Sequence, residues 1–228
     1  MSGAPGGVNA GANRLHLSDG CGGTGAAKRS DQKHTGVPVP AVLPSVHDML
    51  VEEGVRERVE ISVDGGVQTG EQALKLALLG ADRIGFGTSV LVALGCSMLR
   101  QCHLAGPAPG DPTGARRQGC SFGVATQDPA LVARFTGRPR QLADYLLAVA
   151  RDVRAGLARI GARRVADVVG RRDLLARRDD LFGKAALLDL SHLTNAPHAR
   201  APERRLARQS QLHAPPPRVR EEEAAEWA

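Results

Sequence analysis

Residues 59–89 read VEISVDGGVQTGEQALKLALLGADRIGFGTS and contain the strongest fold signal in the chain. The β-branched run from Val59 to Val63 predicts a strand, and Asp64-Gly65-Gly66 predicts the loop that ends it. Thr69 and Gln72 have the spacing of a capping box and precede an apolar segment that has the composition of a helix. This stretch therefore begins with a strand, a glycine-rich loop and a helix.

The same order of elements is repeated immediately downstream. Residues 83–86 predict a second strand, Gly87-Thr88 ends it, and another apolar helix begins near Ser89. Strands that alternate with helices in this way are typical of parallel βα units. We therefore expect an α/β fold with a parallel sheet.

Upstream, the sequence predicts less regular structure. Residues 1–14 are rich in Gly and Ala and predict a disordered start, whereas residues 15–17 predict a short strand that leads into a glycine-rich loop. The three prolines within residues 35–47 favour irregular loop, with a helix starting at about His47. These residues therefore predict one further βα unit, which precedes the unit at residues 59–79 in the chain.

Downstream, two helix signals are separated from the βα units by a loop. Residues 105–119 have the low complexity of a loop. Asp128-Pro129 has the pattern of an N-cap followed by proline at the first helical position, and the apolar periodicity of residues 139–161 predicts a long amphipathic helix. Residues 191–228 have no periodicity, and we expect a low-complexity, disordered tail.

The composition and charge of the chain disfavour several classes of protein. Aromatic residues make up 3% of the 228 residues, which disfavours the stacking platforms that bind single-stranded nucleic acid. The net charge of +6 comes mainly from residues 151–228, where no nucleic-acid-binding motif accompanies it. No apolar run is long enough to span a membrane, and no secretory pattern opens the sequence. We therefore expect a cytoplasmic protein that binds neither nucleic acid nor membrane.

Two glycine-rich loops in tandem point to an anionic ligand. In a (β/α) barrel, a phosphate site is commonly built by the loops after the last two strands and by a helix N-terminus. Backbone N–H groups face the anion there, and glycine lets the anion approach closely. The loops at 64–66 and 85–88 match this arrangement, with ordinary turn glycines as the alternative interpretation.

Three cysteines form the second candidate site. Cys96, Cys102 and Cys120 lie within 25 residues of one another, which is compatible with an iron–sulfur cluster or zinc. The spacing contains no C-x-x-C, so buried free cysteines remain the alternative. Lys33, which follows the separate glycine-rich stretch at residues 20–25, could bind an anionic substrate or be an exposed loop residue.

These segments together resemble one family, the large subunit of glutamate synthase. The resemblance covers about residues 9–191, and its central motifs follow one another in the family's order. It rests on DGGVQTG (64–70), LLGADRIGFGTSVLVALGCSMLRQCH (78–103), GVATQDP (123–129) and FTG (135–137), supported by GGTGA (22–26), QKHTG (32–36), GRRDLL (170–175) and LDLS (188–191).

The resemblance implies a fold and a chemistry. That family's synthase domain is an FMN-binding (β/α)8 barrel with a 3Fe–4S cluster, and it forms L-glutamate from 2-oxoglutarate and glutamine-derived ammonia. Its electron donor is ferredoxin or a nicotinamide-dependent small subunit. By motif, the FMN-binding residues would be Asp64, Gly65, Gly66, Gly85, Gly87 and Thr88, the cluster ligands would be Cys96, Cys102 and Cys120, and Lys33 would be catalytic beside flavin and substrate.

The chain also departs from the family pattern. Residues 107–119 have the character of an insertion between the second and third cysteines, and the family's S-G-H-D-G-G-T-G loop reads SDGCGGTG at residues 18–25. A complete barrel needs about 250 residues, whereas residues 15–190 correspond to the last three βα units. We therefore expect a partial barrel that is a fragment or is completed by a partner chain, and that is inactive in isolation. The alternatives are a non-enzymatic iron–sulfur or zinc protein and an interaction protein with a basic C-terminal third.

Overall fold

The computed structural model of the chain describes residues 3–20, 36–100, 102, 105–107 and 116–197, together with Ser30 and His34. The helices in these residues are α1 (Gly3–Asn9), α2 (Val39–Glu52), α3 (Gly70–Leu78), α4 (Thr88–Ala93), α5 (Pro129–Val132), α6 (Pro139–Arg159) and α7 (Ser191–Thr194). The strands are β1 (Arg14–Ser18), β2 (Glu60–Asp64), β3 (Arg83–Ile84), β4 (Ala105–Pro107) and β5 (Arg116–Gln118). Short 3-10 helices lie at Arg56–Arg58, Val165–Asp167, Arg172–Leu174 and Gly183–Leu187.

A three-stranded parallel sheet in the order β1-β2-β3 forms the centre of the fold. Leu15 is in register with Ile61, and Ser62 with Arg83. The α/β fold with a parallel sheet is therefore confirmed. The predicted second strand is shorter than expected, because β3 contains only Arg83 and Ile84.

The helix after β2 begins where the capping box predicts. Thr69 Oγ1 accepts a hydrogen bond from the Gln72 N–H, and the Gln72 side chain accepts one from the Thr69 N–H. Gly80, with φ of 119°, follows the helix in the left-handed conformation that suits a helix end. Local sequence therefore determines both ends of α3.

Helix α2 corrects the expectation of a loop over residues 35–47. It begins at Val39, with Pro40 in its first turn and Pro44 within it. Proline is tolerated in a first helical turn, where the missing N–H costs no hydrogen bond. The apolar side chains of α2 recur every three or four residues, and their burial against the sheet outweighs the turn tendency of the prolines. The buried ones are Val39, Leu43, Val46 and Leu50.

Both ends of the described chain are more ordered than the sequence predicted. We expected residues 1–14 to be disordered, but α1 forms there and Val8 is 2% exposed in the core. We expected a tail from residue 191, but α7 forms and Leu193 packs against the core. In both cases apolar side chains pack against the core in a way that composition does not reveal. Residues 198–228 of the predicted tail lie outside the described residues.

The segment before α7 folds back over α2. Arg172 is 2% exposed, and its Nη2 donates to both carboxylate oxygens of Asp48 at 2.7 Å. Residues 105–119 also differ from the predicted loop, since β4 and β5 pair there as an antiparallel hairpin. No helix in the described part of the chain is both long enough and apolar enough to cross a membrane.

The two faces of the sheet differ in chemistry. One face carries Ile61, Val63 and other core residues beneath the helices. The other carries polar side chains paired across the strands: the carboxylate of Glu60 accepts hydrogen bonds from Arg83 Nε at 2.8 Å and Arg14 Nη2 at 3.1 Å. Since alternate residues of a strand point to opposite faces, these polar residues lie on the face opposite the core residues Ile61 and Val63.

We expect Glu60 to stabilise the sheet at neutral pH and to lose this effect as the solution becomes acidic. The hydrogen bond from Arg83 lowers the pKa of Glu60 below its ordinary value, partial burial opposes this, and the hydrogen bond from Arg14 lowers it further. Its stabilisation is therefore present above the unfolded pKa of about 4.3 and is lost as the pH falls through the lower folded pKa. Glu60→Gln should cost about 1 kcal/mol at pH 7.

Urea denaturation of wild type and variant between pH 7 and pH 3 measures this difference. The gap between the two free energies of unfolding should close toward pH 3. Glu71→Gln is the matched control, because Glu71 pairs with Lys75 on an exposed face of α3 and should show a smaller effect. A gap for Glu60→Gln that stays constant over this pH range would contradict the assignment.

Candidate functional site

The two glycine-rich loops lie side by side at the carboxyl ends of β2 and β3. Ser89 Oγ, in the first turn of α4, donates to the carbonyl of Val67 at 3.0 Å and joins the second loop to the first. Tyr145 Oη on α6 donates to the carbonyl of Gln68 at 3.0 Å. The structure therefore brings the loops together and supports the first of them from α6.

The glycines of these loops differ in how closely other atoms approach them. Gly65 has φ of 109°, and a Cβ there would lie 2.1 Å from Asp19 Cβ, so close packing alone demands glycine. A Cβ on Gly85 would lie 3.0 Å from Asp64 Cβ. At Gly87, by contrast, a Cβ would meet nothing within 4 Å. The space that a bound phosphate would need is therefore open at Gly87.

A cavity of about 460 Å³ borders the first loop. Asp64, Gly65 and Gly66 line it, whereas Gly85, Gly87 and Thr88 do not. Its other walls come from Asp19, from α2 and α3, and from the segment that folds back over α2. The apolar walls include Val39, Leu76, Leu79, Leu175, Leu190 and Leu193.

The side chain of Asp64 is held by residues that the sequence analysis did not select. Ser18 Oγ donates to Asp64 Oδ1 at 2.6 Å, and His16 Nε2 lies 3.4 Å from Asp64 Oδ2. His16 Nδ1 also hydrogen-bonds Ser62 Oγ at 2.8 Å. The sequence feature that could have indicated these residues is the alternation of side chains along β1, which places His16 and Ser18 on the same face.

The three predicted cysteines line one small pocket. Cys96, Cys102 and Cys120 surround it together with Ser97, Leu99, Arg100, Ser121 and Phe122. Cys120 is buried, and the other two are partly exposed. The hairpin β4–β5 lies between Cys102 and Cys120 in sequence, so its antiparallel pairing returns the chain to the same pocket.

The loop between Cys96 and Cys102 has an unusual backbone. Met98 and Arg100 both have positive φ, 58° and 54°, which side-chain-bearing residues rarely adopt. Such conformations persist where surrounding structure holds them, and they concentrate at functional sites. Cys96 Sγ lies 4.0 Å from Met98 Sδ. The loop between two of the predicted ligands therefore contains two residues in a conformation that is uncommon in simple connections.

The sulfur of Cys120 lies in a cradle of backbone N–H groups. Burial alone would raise the pKa of the Cys120 thiol, but the backbone N–H groups of Ala125, Phe122, Val124 and Gly123 outweigh it and lower the pKa below its ordinary value. Hydrogen bonds of this kind favour the thiolate, which is the form that binds metals. The environment of Cys120 is therefore suited to a ligand thiolate.

The pocket gathers three thiols without a preformed site for a single metal ion. Within the described ranges, no three His, Cys, Asp or Glu side chains are grouped so as to hold one. Thiolates are ligands of iron–sulfur clusters and of zinc alike. The three cysteines are therefore candidate ligands for either group.

One predicted site residue is not placed by the structure, because Lys33 lies outside the described residues. Thr88 is described and begins α4, directly after the open space at Gly87. The structure thus places every predicted flavin and cluster residue, whereas the predicted catalytic role of Lys33 stays a prediction.

Comparison with known proteins assigns the family. Residues 3–163 match the family model described as a conserved region in glutamate synthase. The chain is 40% identical over 185 residues to ferredoxin-dependent glutamate synthase 1 of Arabidopsis thaliana, covering 81% of this chain and 11% of that protein. It is 38% identical over 196 residues to the NADPH glutamate synthase large chain of Bacillus subtilis, covering 85% of this chain and 12% of that protein.

The matched region contains both glycine-rich loops and all three cysteines of the pocket. The chain spans only about a tenth of the length of these relatives. Because the family model covers more than half of the chain and residues 64–129 carry its site motifs in order, this protein belongs to the glutamate synthase family.

Proposed function

We propose that this chain is the part of a glutamate synthase that holds the FMN phosphate and an iron–sulfur cluster. The observation that carries the proposal is the convergence of Cys96, Cys102 and Cys120 on one pocket, close in sequence to the paired glycine-rich loops. The six-residue helix α4 separates the second loop from Cys96. A helix of that length spans about 9 Å, so the two sites are neighbours.

The chain's own residues would bind and orient the two groups. The N–H groups of Gly65, Gly66, Gly87 and Thr88 would hold the FMN phosphate, with Asp64 and Gly85 shaping the loops. The three thiolates would hold a 3Fe–4S cluster. When bound, FMN supplies hydride transfer and the cluster supplies electrons, in the synthesis of L-glutamate from 2-oxoglutarate and glutamine-derived ammonia. Lys33 would lie near the flavin and bind the anionic substrate.

The fold supports a partial (β/α)8 barrel. Three parallel strands that alternate with helices correspond to a segment of such a barrel, and the polar face of the sheet would be its interior. The remaining strands would come from the rest of a longer protein or from a partner chain. Relatives are named for ferredoxin or NADPH, and either donor would serve the complete enzyme. We propose that the 228 residues alone are inactive.

One observation favours a second candidate function. All three predicted cysteines line one pocket, whereas the cavity at the first loop does not include Gly85, Gly87 or Thr88. A chain that binds a cluster or zinc through its cysteines and binds no flavin would match this difference. A chain that binds a metal or cluster but does not bind FMN would have this second function and not the first.

The absorption spectrum of the anaerobically purified chain tests the proposal. The chain is reconstituted with FMN, iron and sulfide, freed of unbound material by gel filtration, and compared with the same chain reconstituted with zinc. Flavin bands on a broad iron–sulfur absorption support the synthase module. The iron–sulfur absorption alone supports the second candidate, and a colourless protein with no bound metal contradicts both.

A further inference from the structure

The end of β1 engages the first glycine-rich loop at several atoms. We call its residues His16, Ser18 and Asp19 the β1 brace. Ser18 Oγ donates to one carboxylate oxygen of Asp64, and His16 Nε2 lies beside the other. The backbone N–H of Asp19 donates to the Asp64 carbonyl at 3.1 Å. The brace therefore contacts both the side chain and the backbone of Asp64, immediately before Gly65.

The contacts with the Asp64 carboxylate matter for an anionic ligand. Asp64 lies next to the glycine N–H groups that the proposed function assigns to a phosphate, and a free carboxylate there would repel it. Ser18 and His16 hold the carboxylate against β1, on the face of the sheet. Hydrogen bonds to an ionised acceptor are stronger than those between neutral groups, so the Ser18 contact of 2.6 Å is the dominant one.

Asp19 extends this restraint to a helix. Its Oδ2 accepts a hydrogen bond from the N–H of Val39, the first residue of α2, at 3.0 Å. Its Cβ occupies the space beside Gly65 that any larger residue at position 65 would need. The loop is therefore fixed between β1 and α2, and its left-handed glycines are not free to relax.

We propose that Ser18 and His16 are positioning residues that give this site its preference for a phosphorylated flavin. This inference rests on the proposed function, because it specifies which part of the ligand the brace affects. The brace does not touch the phosphate. It acts through Asp64, whose charge it holds away from the glycine N–H groups and whose backbone it fixes.

Paired affinities for FMN and riboflavin test the proposal, since only FMN carries the phosphate. The variants are Ser18→Ala, Ser18→Thr and His16→Ala in the full chain, with Ser45→Ala on α2 as the matched control. Ser18→Ala should weaken FMN binding about tenfold and leave riboflavin binding unchanged. His16→Ala should have a smaller effect in the same direction, and Ser18→Thr, which keeps the hydroxyl, should restore FMN binding.

The outcomes separate this inference from the proposed function. Equal weakening of both flavins, or no weakening of either, would overturn the positioning role while leaving flavin binding intact. If the unmodified chain binds neither flavin, the flavin part of the proposed function fails. Amide hydrogen exchange at Gly65 and Gly66 then tests the brace directly: faster exchange in Ser18→Ala than in Ser45→Ala supports it, and unchanged exchange overturns it.

Discussion

Replacing Cys96 with serine should reduce the iron bound by the reconstituted chain to background. Cys96 is one of three thiols around a pocket that offers no other thiol within the described residues. A serine hydroxyl does not ionise near neutral pH, so it does not replace a thiolate ligand. The measurement is iron and sulfide per chain after anaerobic reconstitution, together with the visible absorption spectrum.

The fourth cysteine provides the matched control. Cys21 lies far from the others in sequence and outside the described residues, and Cys21→Ser should retain the iron of the unmodified chain. Circular dichroism of both variants shows whether the helices are kept. Full iron content in Cys96→Ser would contradict the ligand assignment, whereas loss of iron in both variants would point to a general loss of folding.

Replacing Asp82 with alanine should destabilise the fold by about 3–5 kcal/mol. The Asp82 side chain is 2% exposed, and its Oδ2 accepts hydrogen bonds from Arg56 Nη2 at 2.9 Å and from the N–H of Ile61 at 2.7 Å. Burial lowers the pKa of Arg56 to about 10, which reflects the cost of removing this charge from water. Removing the carboxylate leaves that buried charge without its counterion.

The neighbours of Arg56 limit how far its side chain can move when the Asp82 carboxylate is removed. Arg56 also donates to His47 Nδ1 at 3.1 Å and to the carbonyls of Val59 and Gly80. The His47 ring lies between Gly80 and Gly170, where a Cβ would approach within 2.8 Å and 2.5 Å of it respectively. If Arg56 turned toward solvent, it would therefore lose its hydrogen bonds to the closely packed His47 ring and to these two carbonyls.

Urea denaturation measures the effect of Asp82→Ala. Asp144→Ala is the control, since Asp144 pairs with Arg140 on an exposed face of α6 and its loss should cost about 0.5 kcal/mol or less. The stability lost in Asp82→Ala would be a large share of the free energy of unfolding of a typical domain, which is about 5–15 kcal/mol. Equal effects of the two substitutions would show that the buried charge of Arg56 does not depend on Asp82 for its compensation.

Much of the fold could be predicted where local signals agree. β-Branched residues predict β2, the Thr69–Gln72 capping box predicts the start of α3, and Asp128 predicts the start of α5. Helix α2 could not be predicted in the same way. Its prolines favour a turn, and only the burial of its apolar face against the sheet stabilises the helix.

The candidate site shows the same division. The glycine-rich loops and the cysteines could be selected from the sequence because glycines directly after a strand and cysteines close together in the chain form recognisable local patterns. Ser18 and His16 could not be selected, since a serine and a histidine in a strand have no distinctive pattern. Their contact with Asp64 depends on the pairing of β1 with β2, which joins residues 46 positions apart.

The sequence by itself determined the order of the βα units, the caps of their helices and the chemical types gathered in the two candidate sites. These properties depend on neighbouring residues and on side-chain chemistry. Only the tertiary structure decided which cysteines share a pocket, which side chains hold Asp64, and where the buried charge of Arg56 is compensated. Each of these depends on contacts between segments far apart in the chain, which arise from strand pairing and burial rather than from local preference.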